Sequence, residues 1–452
     1  MDKILIIADD LTGALDSGVA FADAGISTCV GEGEFFSTNA DAKNCAVQVT
    51  VVPTRHMPKE DAYRAVYDVT KTAKACGIRY ILKKVDSALR GNVGAELAAS
   101  LAATGEKTLY FVPAFPKMKR VTRNGIQYID GDIPVAESVF RQDPFNPVRH
   151  SAVADVIAET ASVTAYPGDL NREDYPAGIA VFDAQTDEDI QKIAAHLFHD
   201  LCASLVAGCA GLAAAIPAVL RFPKTAEDGI AVPLKLITFC GSVNPISIRQ
   251  CQEAETCGAP RFHLIRNGVP EAEEHLAKRV AAASADSAIT ILDTGSTDVG
   301  DGAEATAENS RRVAEKMGAV IGRVSRLAPD ATLFIIGGDT LIAFIHCLGI
   351  KTIIPAAELM PGVVLAKYRF EGAWRYLISK SGGFGEPDLL RRVSLKLPLL
   401  AQEAEDGGET VPEQMRTPGR RTIKTRKRKR LHYDNINDHY AGYRRSNDCS
   451  YH

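Results

Sequence analysis

The sequence predicts an α/β protein with two domains, each built on a mostly parallel sheet flanked by helices. The chain has 452 residues, which exceeds what one hydrophobic core usually organises. Short apolar runs alternate with amphipathic stretches, as strands and helices do around a parallel sheet. A polar, proline-containing stretch from Arg221 to Pro233 divides two such series and is typical of a domain linker. We therefore place the domains at residues 1–228 and 229–402.

The predicted buried strands share a short apolar core and a following loop that is polar or contains glycine. They are Lys3 to Ile7, Ala46 to Val52, Tyr80 to Lys83, Thr108 to Val112, Leu236 to Phe239, Ala288 to Leu292, Thr332 to Ile336 and Lys351 to Ile354. Ligands of such folds bind outside the carboxyl ends of the strands. We therefore expect the functional residues in these loops.

Composition indicates a globular protein without a global attraction for nucleic acid. Hydrophobic residues make up 46% of the chain, charged residues 24%, and the formal net charge is -4. An anion-binding site must therefore be local. No apolar segment is long enough for a signal-peptide core or a spanning helix, and the ten cysteines include no CxxC pair. These features predict a cytoplasmic protein with reduced thiols and no membrane contact, and they leave a homo-oligomer open.

Residues 403–452 differ in composition from the rest of the chain. The acidic stretch EAEDGGET is followed by RRTIKTRKRKR, from Arg420 to Arg430, and then by residues without apolar periodicity. A basic run can bind nucleic acid, but a solvated tail fits the balanced charge elsewhere better. We predict a disordered basic tail and no nucleic-acid partner.

Two adjacent carboxylates follow the first predicted strand. Asp9 and Asp10 lie in the segment ADDLTGALD, and the residues after them have the pattern of a helix closed by Gly25. Carboxylates at this position can bind sugar hydroxyls, hold Mg²⁺ or act as a base. The alternative is that one of them only caps the helix.

The loops after the next two predicted strands are rich in charged and hydroxyl side chains. The candidate substrate-binding residues in these loops are Arg55, Lys84, Val85, Asp86, Ser87 and Arg90. Lysine offers a point charge and arginine a planar fork for a carboxylate, while Asp86 and Ser87 could order substrate hydroxyls. The pattern favours an acidic small molecule as substrate, although lysines after a strand are often inert surface residues.

Three glycine-bearing turns follow strands of the second half. They contain Ser242, then Gly337, Gly338, Asp339 and Thr340, then Gly382 and Gly383. Glycine lets the backbone approach a phosphate closely, and a following helix N-terminus favours negative charge. Plain tight turns are the alternative. The chain has no GxxxxGK[ST] motif and no GxGxxG after the first strand, which disfavours a P-loop enzyme and a dinucleotide-dependent dehydrogenase.

Taken together, these segments resemble the four-carbon acid sugar kinase family over nearly the whole chain. ADDLTGALD, KKVDSALRG, PAFP and the segment from Gly131 to Ser151 resemble its substrate-binding domain. CGSVNPISIRQ, GGDT and KSGGFG resemble its nucleotide-binding domain. The stretch DPFNPVRHS is most similar to members that act on D-threonate, while members that act on D-erythronate and 3-oxo-tetronate share most motifs. One departure is Lys119-Arg120, where relatives commonly show Gly-Arg.

The resemblance implies an enzyme that uses ATP and Mg²⁺ to phosphorylate the C4 hydroxyl of a four-carbon acid sugar. Asp9, Arg55 and the segment from Lys84 to Ser87 would contact the acid sugar. Ser242, the turn from Gly337 to Thr340 and Gly383 would contact ATP. Closure of the two domains would then bring the hydroxyl to the γ-phosphate and exclude water.

Asp9, Asp86 and Asp339 are each candidates for the base that receives the hydroxyl proton. We prefer Asp86 because it lies beside the expected cations, whereas Asp339 lies in a turn suited to phosphates. The alternative class of function is an NAD-linked oxidoreductase, or a nucleotide-regulated binding protein, for the same acids.

Overall fold

The computed structural model describes residues 3–143, 146–225, 232–266, 268–295 and 307–406. The predicted domain boundary between residues 228 and 229 lies outside the described residues, as does the predicted tail beyond residue 406. The chain forms a mostly parallel sheet flanked by helices, which confirms the predicted fold class.

The N-terminal half contains eleven strands and eight α-helices in its described residues. The strands are β1 (Ile4–Ala8), β2 (Thr28–Glu32), β3 (Val47–Val51), β4 (Tyr80–Lys84), β5 (Thr108–Val112), β6 (Val121–Arg123), β7 (Ile126–Ile129), β8 (Ile133–Pro134), β9 (Ala165–Pro167), β10 (Gly178–Val181) and β11 (Leu205–Gly208). The helices are α1 (Leu11–Asp23), α2 (Phe35–Thr38), α3 (Ala40–Asn44), α4 (Lys59–Ala75), α5 (Val93–Thr104), α6 (Val153–Thr160), α7 (Asp187–Ala195) and α8 (Ala210–Val219). Strands β6 to β8 form a separate antiparallel sheet after β5.

The parallel strands of this half run in the order β2-β3-β1-β4-β11-β5-β10-β9. Strand β1 pairs in register with β3 on one side and β4 on the other, so that Ala8 faces both Val51 and Lys84. The carboxyl ends of these three strands therefore lie side by side. Alternate residues of β1 belong to two different cores, Ile4 and Ile6 to one and Leu5 to the other, because successive side chains point to opposite faces. Burial on both faces explains why these strands are continuous apolar runs.

The described residues of the C-terminal half contain nine strands and five helices. The strands are β12 (Lys235–Cys240), β13 (Arg261–His263), β14 (Ile265–Arg266), β15 (Val269–Pro270), β16 (Ile289–Asp293), β17 (Ala331–Ile336), β18 (Ile353–Met360), β19 (Val363–Phe370) and β20 (Ala373–Lys380). The helices are α9 (Pro245–Thr256), α10 (Glu273–Ala285), α11 (Ala307–Leu327), α12 (Gly338–Leu348) and α13 (Leu389–Asp406). Helix α13 continues to Asp406, beyond the predicted domain end at residue 402.

The strand order in this half is β13-β16-β12-β17-β20-β19-β18. The first five strands in this order, β13, β16, β12, β17 and β20, are parallel to one another. Strands β20, β19 and β18 form an antiparallel meander. The predicted strand at Lys351 to Ile354 is instead β18, which begins at Ile353 and extends to Met360. One antiparallel pair, Ile353 with Val30, joins β18 to β2 and makes the two predicted sheets a single 15-stranded sheet.

No helix in the described part of the chain is both long enough and apolar enough to cross a membrane.

Candidate active site

The loops after β1, β3 and β4 bring two carboxylates and two cations into one cluster. Arg55 Nη2 lies 2.5 Å from Asp9 Oδ2, and Arg55 Nη1 lies 2.8 Å from Asp10 Oδ2. Lys84 Nζ lies 3.2 Å from Asp9 Oδ1 and 3.3 Å from Asp10 Oδ1. The in-register pairing of β1 with both neighbours explains this proximity, because it ends the three strands at one level.

Asp10 also caps helix α1, so it is both a helix cap and a member of the charged cluster. Its Oδ1 accepts a hydrogen bond from the Gly13 backbone N–H at 2.9 Å. Burial alone would raise the pKa of Asp10, but Arg55 and Lys84 outweigh that effect and hold the pKa well below its usual range. Asp10 is therefore ionised at neutral pH.

Asp86 is held by two arginines. Arg90 Nε donates to Asp86 Oδ2 at 2.9 Å and Arg90 Nη2 donates to Oδ1 at 3.0 Å, while Arg55 Nη2 lies 3.7 Å from the same Oδ1. Burial would raise the pKa of Asp86, but Arg90 and Arg55 hold it well below its usual range. A carboxylate of such low pKa is a weak proton acceptor, which argues against our preference for Asp86 as the base. The two hydrogen bonds between Asp86 and Arg90 instead indicate that Asp86 orients the Arg90 side chain.

The loop that carries Arg55 is fixed by buried groups of α5. Asn92 Nδ2 donates to the carbonyl oxygen of Thr54 at 2.8 Å, and Thr54 Oγ1 donates to Glu96 Oε1 at 2.6 Å. The other oxygen of Glu96 lies 2.7 Å from the Nζ atom of Lys83, whose side chain is fully buried. This network holds the Arg55 loop against the sheet.

Two residues of the predicted substrate segment have different environments. Val85 is buried in the core beneath α5, so its side chain cannot contact a ligand. Ser87 is half-buried and its carbonyl oxygen accepts a hydrogen bond from Gln127 Nε2 at 3.0 Å. Of this segment, Lys84, Asp86 and Ser87 are therefore the residues that could offer side chains to a substrate.

The three glycine turns of the C-terminal half follow the adjacent strands β12, β17 and β20 and pack against one another. A Cβ atom on Gly241 would lie 1.8 Å from Thr340 Oγ1, and one on Gly382 would lie 2.0 Å from Ser242 Oγ. Gly337 has a φ of 117°, which a side chain would rarely adopt. Glycine is thus required by close packing and backbone conformation. Helix α12 begins directly after Gly337, so its first N–H groups face this cluster.

Lys380, at the end of β20, is a buried cation that sequence reasoning missed. Its Nζ donates to the carbonyl oxygen of Ser381 at 2.8 Å and lies 3.5 Å from Ser247 Oγ, which itself donates to the Gly382 carbonyl at 2.7 Å. Burial lowers the pKa of Lys380 to about 8. Lys380 therefore fixes the turn that contains Gly382, next to Gly383.

The two clusters lie next to each other, and we call the space between them the cleft. A Cβ atom on Gly338 would lie 3.7 Å from Thr12 Oγ1 and 4.0 Å from Asp10 Oδ2. Asp339, the next residue, is exposed and makes no ion pair with a residue that the structure describes. The structure thus places the predicted nucleotide turn from Gly337 to Thr340 against the predicted substrate cluster.

Two further residues near Arg90 were not among the predicted site residues. Asp143 Oδ2 lies 3.2 Å from Arg90 Nη1, and the Cζ atom of Arg90 lies 5.1 Å from the centre of the Phe140 ring. Both come from the segment after β8, far from Arg90 in sequence. Their only sequence signal is that they belong to the stretch that resembles family members.

The described residues contain no group of three or more His, Cys, Asp or Glu side chains arranged to hold a metal ion. Mg²⁺ in phosphoryl-transfer enzymes usually takes one or two protein carboxylates and several phosphate oxygens. Asp9, Asp10 and Asp86 are each bound to cations, whereas Asp339 is exposed beside the glycine turn. The donor set therefore fits a Mg²⁺ ion that is held mainly by a nucleotide and completed by Asp339.

Comparison with known proteins matches both halves of the chain. A family described as the sugar-binding N-terminal domain matches residues 4–216, and one described as the nucleotide-binding C-terminal domain matches residues 237–390. The Haemophilus influenzae protein HI1011 has a crystal structure that superposes with a TM-score of 0.62 at 21% identity, over 87% of this chain and 100% of that one, and so shares the fold.

Three relatives are similar over most of their length. D-threonate kinase of Salmonella typhimurium is 28% identical, with 86% of this chain and 96% of the relative covered. D-erythronate kinase of Heliobacterium modesticaldum is 26% identical, with 86% and 95% covered. A 3-oxo-tetronate kinase of Methylobacterium radiotolerans is 26% identical, with 85% and 97% covered.

Fold, cleft and comparisons define a two-domain protein with a sugar-binding and a nucleotide-binding half. More narrowly, the chain belongs to the four-carbon acid sugar kinase family, as its motifs predicted.

Proposed function

We propose that this protein transfers the terminal phosphate of ATP to the C4 hydroxyl of D-threonate. The observation that carries the proposal is the proximity of Asp10 to Gly338, which brings a carboxylate and cation cluster near the N-terminus of helix α12. An acid sugar bound at this cluster and a nucleotide bound at the N-terminus of α12 would lie next to each other, as in-line phosphoryl transfer requires.

The proposed acceptor site consists of Asp9, Asp10, Arg55, Lys84 and Ser87. The carboxylates of Asp9 and Asp10 are ligands for sugar hydroxyls, and their ion pairs with Arg55 and Lys84 hold them in position. Asp86 orients Arg90 within the same site.

The proposed ATP site consists of the three glycine turns. The residues concerned are Ser242, Gly337, Gly338, Asp339, Thr340, Gly382 and Gly383. Backbone N–H groups of these turns and the N-terminus of α12 would bind the phosphates. Mg²⁺, held by phosphate oxygens and Asp339, would neutralise charge on the transferred group. Because the transition state of phosphoryl transfer is loose, positioning matters more than a strong base, and Asp339 is our proposed catalytic residue.

The preference for D-threonate rests on the similarity of the stretch DPFNPVRHS, from Asp143 to Ser151, to family members that act on D-threonate, and Asp143 of this stretch pairs with Arg90. D-Erythronate and 3-oxo-tetronate are the alternative substrates, and relatives of both names are similar to this chain. We also propose a cytoplasmic location. The buried cysteines Cys29, Cys209, Cys240 and Cys251 carry free thiols, as is usual in reducing compartments.

The test incubates the purified full chain with ATP, Mg²⁺ and each of the three acids, and measures ADP release and the phosphorylated carbon by NMR. We expect acid-dependent ADP release, phosphate on C4 and the highest kcat/KM for D-threonate. ADP release that is independent of every acid would reject the kinase, whereas a higher kcat/KM for another acid would reject only D-threonate. In the same assay Asp339→Asn should lower kcat on the order of 100-fold, while Asp330→Asn, at an exposed loop position, should not.

A further inference from the structure

Arg120 is a cation near Asp86 whose side chain has no hydrogen-bond or ion-pair partner among the described residues. Arg55, Lys84 and Arg90 each lie within 3.3 Å of two carboxylates. By contrast, the side chain of Arg120 makes no hydrogen bond or ion pair with any residue in the described ranges, and its Nε atom is buried without an acceptor. A buried donor without an acceptor is costly, so this guanidinium is a group that a ligand could satisfy.

Backbone and ring contacts fix the position of Arg120. Its N–H and carbonyl exchange hydrogen bonds with Phe115 at 3.1 and 2.7 Å in the loop after β5. Its Cζ atom lies 4.9 Å from the centre of the Phe140 ring, and the Cζ atom of Arg90 lies 5.1 Å from the same centre. Two guanidinium groups therefore share one aromatic ring, which holds both near Asp86.

The burial of Arg120 is unfavourable without a ligand. Burial lowers the pKa of Arg120, and the nearby charges do not offset this effect, because Asp86 and Asp130 raise the pKa while Arg90 lowers it. A guanidinium nevertheless stays charged at physiological pH. An anion bound beside Arg120 would supply the missing countercharge.

We propose that Arg120 binds the carboxylate of the acid sugar. Its planar fork of N–H donors matches a carboxylate with two parallel hydrogen bonds. The inference rests on the proposed function and deepens it, because it moves the carboxylate contact away from Arg55 and Lys84, whose charges are already matched by Asp9 and Asp10. Arg55 and Lys84 then orient the carboxylates of Asp9 and Asp10, which bind the hydroxyls of the sugar.

The test compares wild-type protein with Arg120→Gln, using D-threonate and D-threonamide, which keeps the hydroxyls but has no charge. Isothermal titration calorimetry without ATP measures the affinity for each compound. We expect Arg120→Gln to weaken D-threonate binding about 30-fold, the loss typical of a hydrogen bond to a charged group, and to change D-threonamide binding less than about threefold. Equal losses for both compounds, or no loss for the acid, would overturn the proposal.

Two further variants separate a direct contact from a general disturbance. Arg123→Gln changes an arginine of the same hairpin that lies 4.4 Å from the Tyr128 ring and pairs with Asp132, and it should leave both affinities unchanged. Arg120→Lys keeps the charge without the fork and should lose less affinity for the acid than Arg120→Gln. Both Arg120 variants should keep the wild-type melting temperature, which excludes unfolding as the cause.

Calorimetry also keeps this inference distinct from the proposed kinase activity. Acid binding that depends on Arg120 in a protein that releases no ADP would support the inference and reject the proposed function. Acid-dependent ADP release with normal acid binding by Arg120→Gln would reject the inference alone. Absence of acid binding by the wild-type protein would reject both.

Discussion

Asp10 and Gly338 face each other across the two halves of the molecule, with Asp10 Oδ2 lying 4.0 Å from the position that a Cβ atom on Gly338 would occupy. One residue follows β1 and the other begins α12. The carboxyl ends of the parallel strands in the two halves thus lie next to each other.

Gly338→Ala should weaken ATP binding without lowering the stability of the protein. The added methyl would be in ordinary contact with Thr12 at 3.7 Å, and alanine is the better helix former by up to about 1 kcal/mol. We therefore expect equal or higher stability in urea unfolding. If phosphates approach this turn, the KM for ATP should rise roughly tenfold while the KM for the acid stays constant. An unchanged KM for ATP would remove Gly338 from the proposed ATP site.

Arg55→Met should destabilise the protein strongly near neutral pH. Its side chain is 13% exposed and lies next to three carboxylates, so its loss leaves Asp9 and Asp10 poorly compensated, at a cost of about 3–5 kcal/mol. Arg64→Met, at an exposed pair with Asp61, should show no measurable change. Urea unfolding at pH 7 measures both variants.

The loss of stability caused by Arg55→Met should be smaller at acidic pH than at neutral pH. The pKa of Asp10 is lowered in the folded protein, so its stabilising effect is complete above the ordinary carboxyl pKa of 3.8 and is lost as the pH falls through the folded value. A difference between wild type and variant that is equal at pH 3 and pH 7 would contradict this electrostatic explanation.

Asp16, on helix α1, should make stability fall as the pH rises. Burial, followed by the nearby charge of Glu358, raises the pKa of Asp16 to about 7 from its ordinary value of 3.8. Between these values the folded state binds more protons than the unfolded state, so stability decreases with rising pH. Asp16→Asn should flatten the profile of unfolding free energy between about pH 4 and 7, whereas Asp68→Asn on the exposed face of α4 should keep the wild-type profile.

Lys119→Gly should stabilise the protein without changing its activity. Lys119 has a φ of 54°, the left-handed conformation that costs most residues about 1–2 kcal/mol relative to glycine. The gain should be about 1 kcal/mol in thermal or urea unfolding, and Lys119→Ala, which keeps a Cβ atom, should show no gain. A gain from alanine would mean that loss of the lysine charge is responsible.

Removal of residues 407–452 should leave kcat and both KM values unchanged. The cleft and the helix α13 that packs behind it lie before this segment, and Leu397 of α13 is fully buried. A cut before Leu389 should instead destabilise the C-terminal half. Loss of acid-dependent ADP release on removing 407–452 alone would assign the basic run a role in function that we do not expect.

The strands around the cleft could be predicted because their burial pattern is simple. Thr108 to Val112 has the predicted bounds, the strand at Tyr80–Lys84 is one residue longer than predicted, and the strand at Ile4–Ala8 is shifted by one residue at both ends. Residues buried on both faces form continuous apolar runs that identify them. Strand β18 was placed less well, because its burial alternates with partly exposed positions in an antiparallel meander.

The site could be predicted only as far as its residues follow these strands. Asp9, Arg55 and Lys84 are close together because adjacent parallel strands end at one level. The partners of Asp86 could not be predicted, because the bidentate contact from Arg90 depends on a turn in which Leu89 has a φ of 61°. Phe140 reaches the cleft from a distant loop through tertiary packing that has no periodic signature.

The single backbone pair between Val30 and Ile353 has a mechanical consequence for this cleft. Because this pair makes the sheet continuous, the two halves are parts of one hydrogen-bonded surface. The hydrogen bond of 2.6 Å between Glu32 and His346 and the hydrogen bond between Asn39 and Thr352 also connect the two halves near this seam. We therefore expect any change in the separation of the two halves to bend or twist the sheet at this seam.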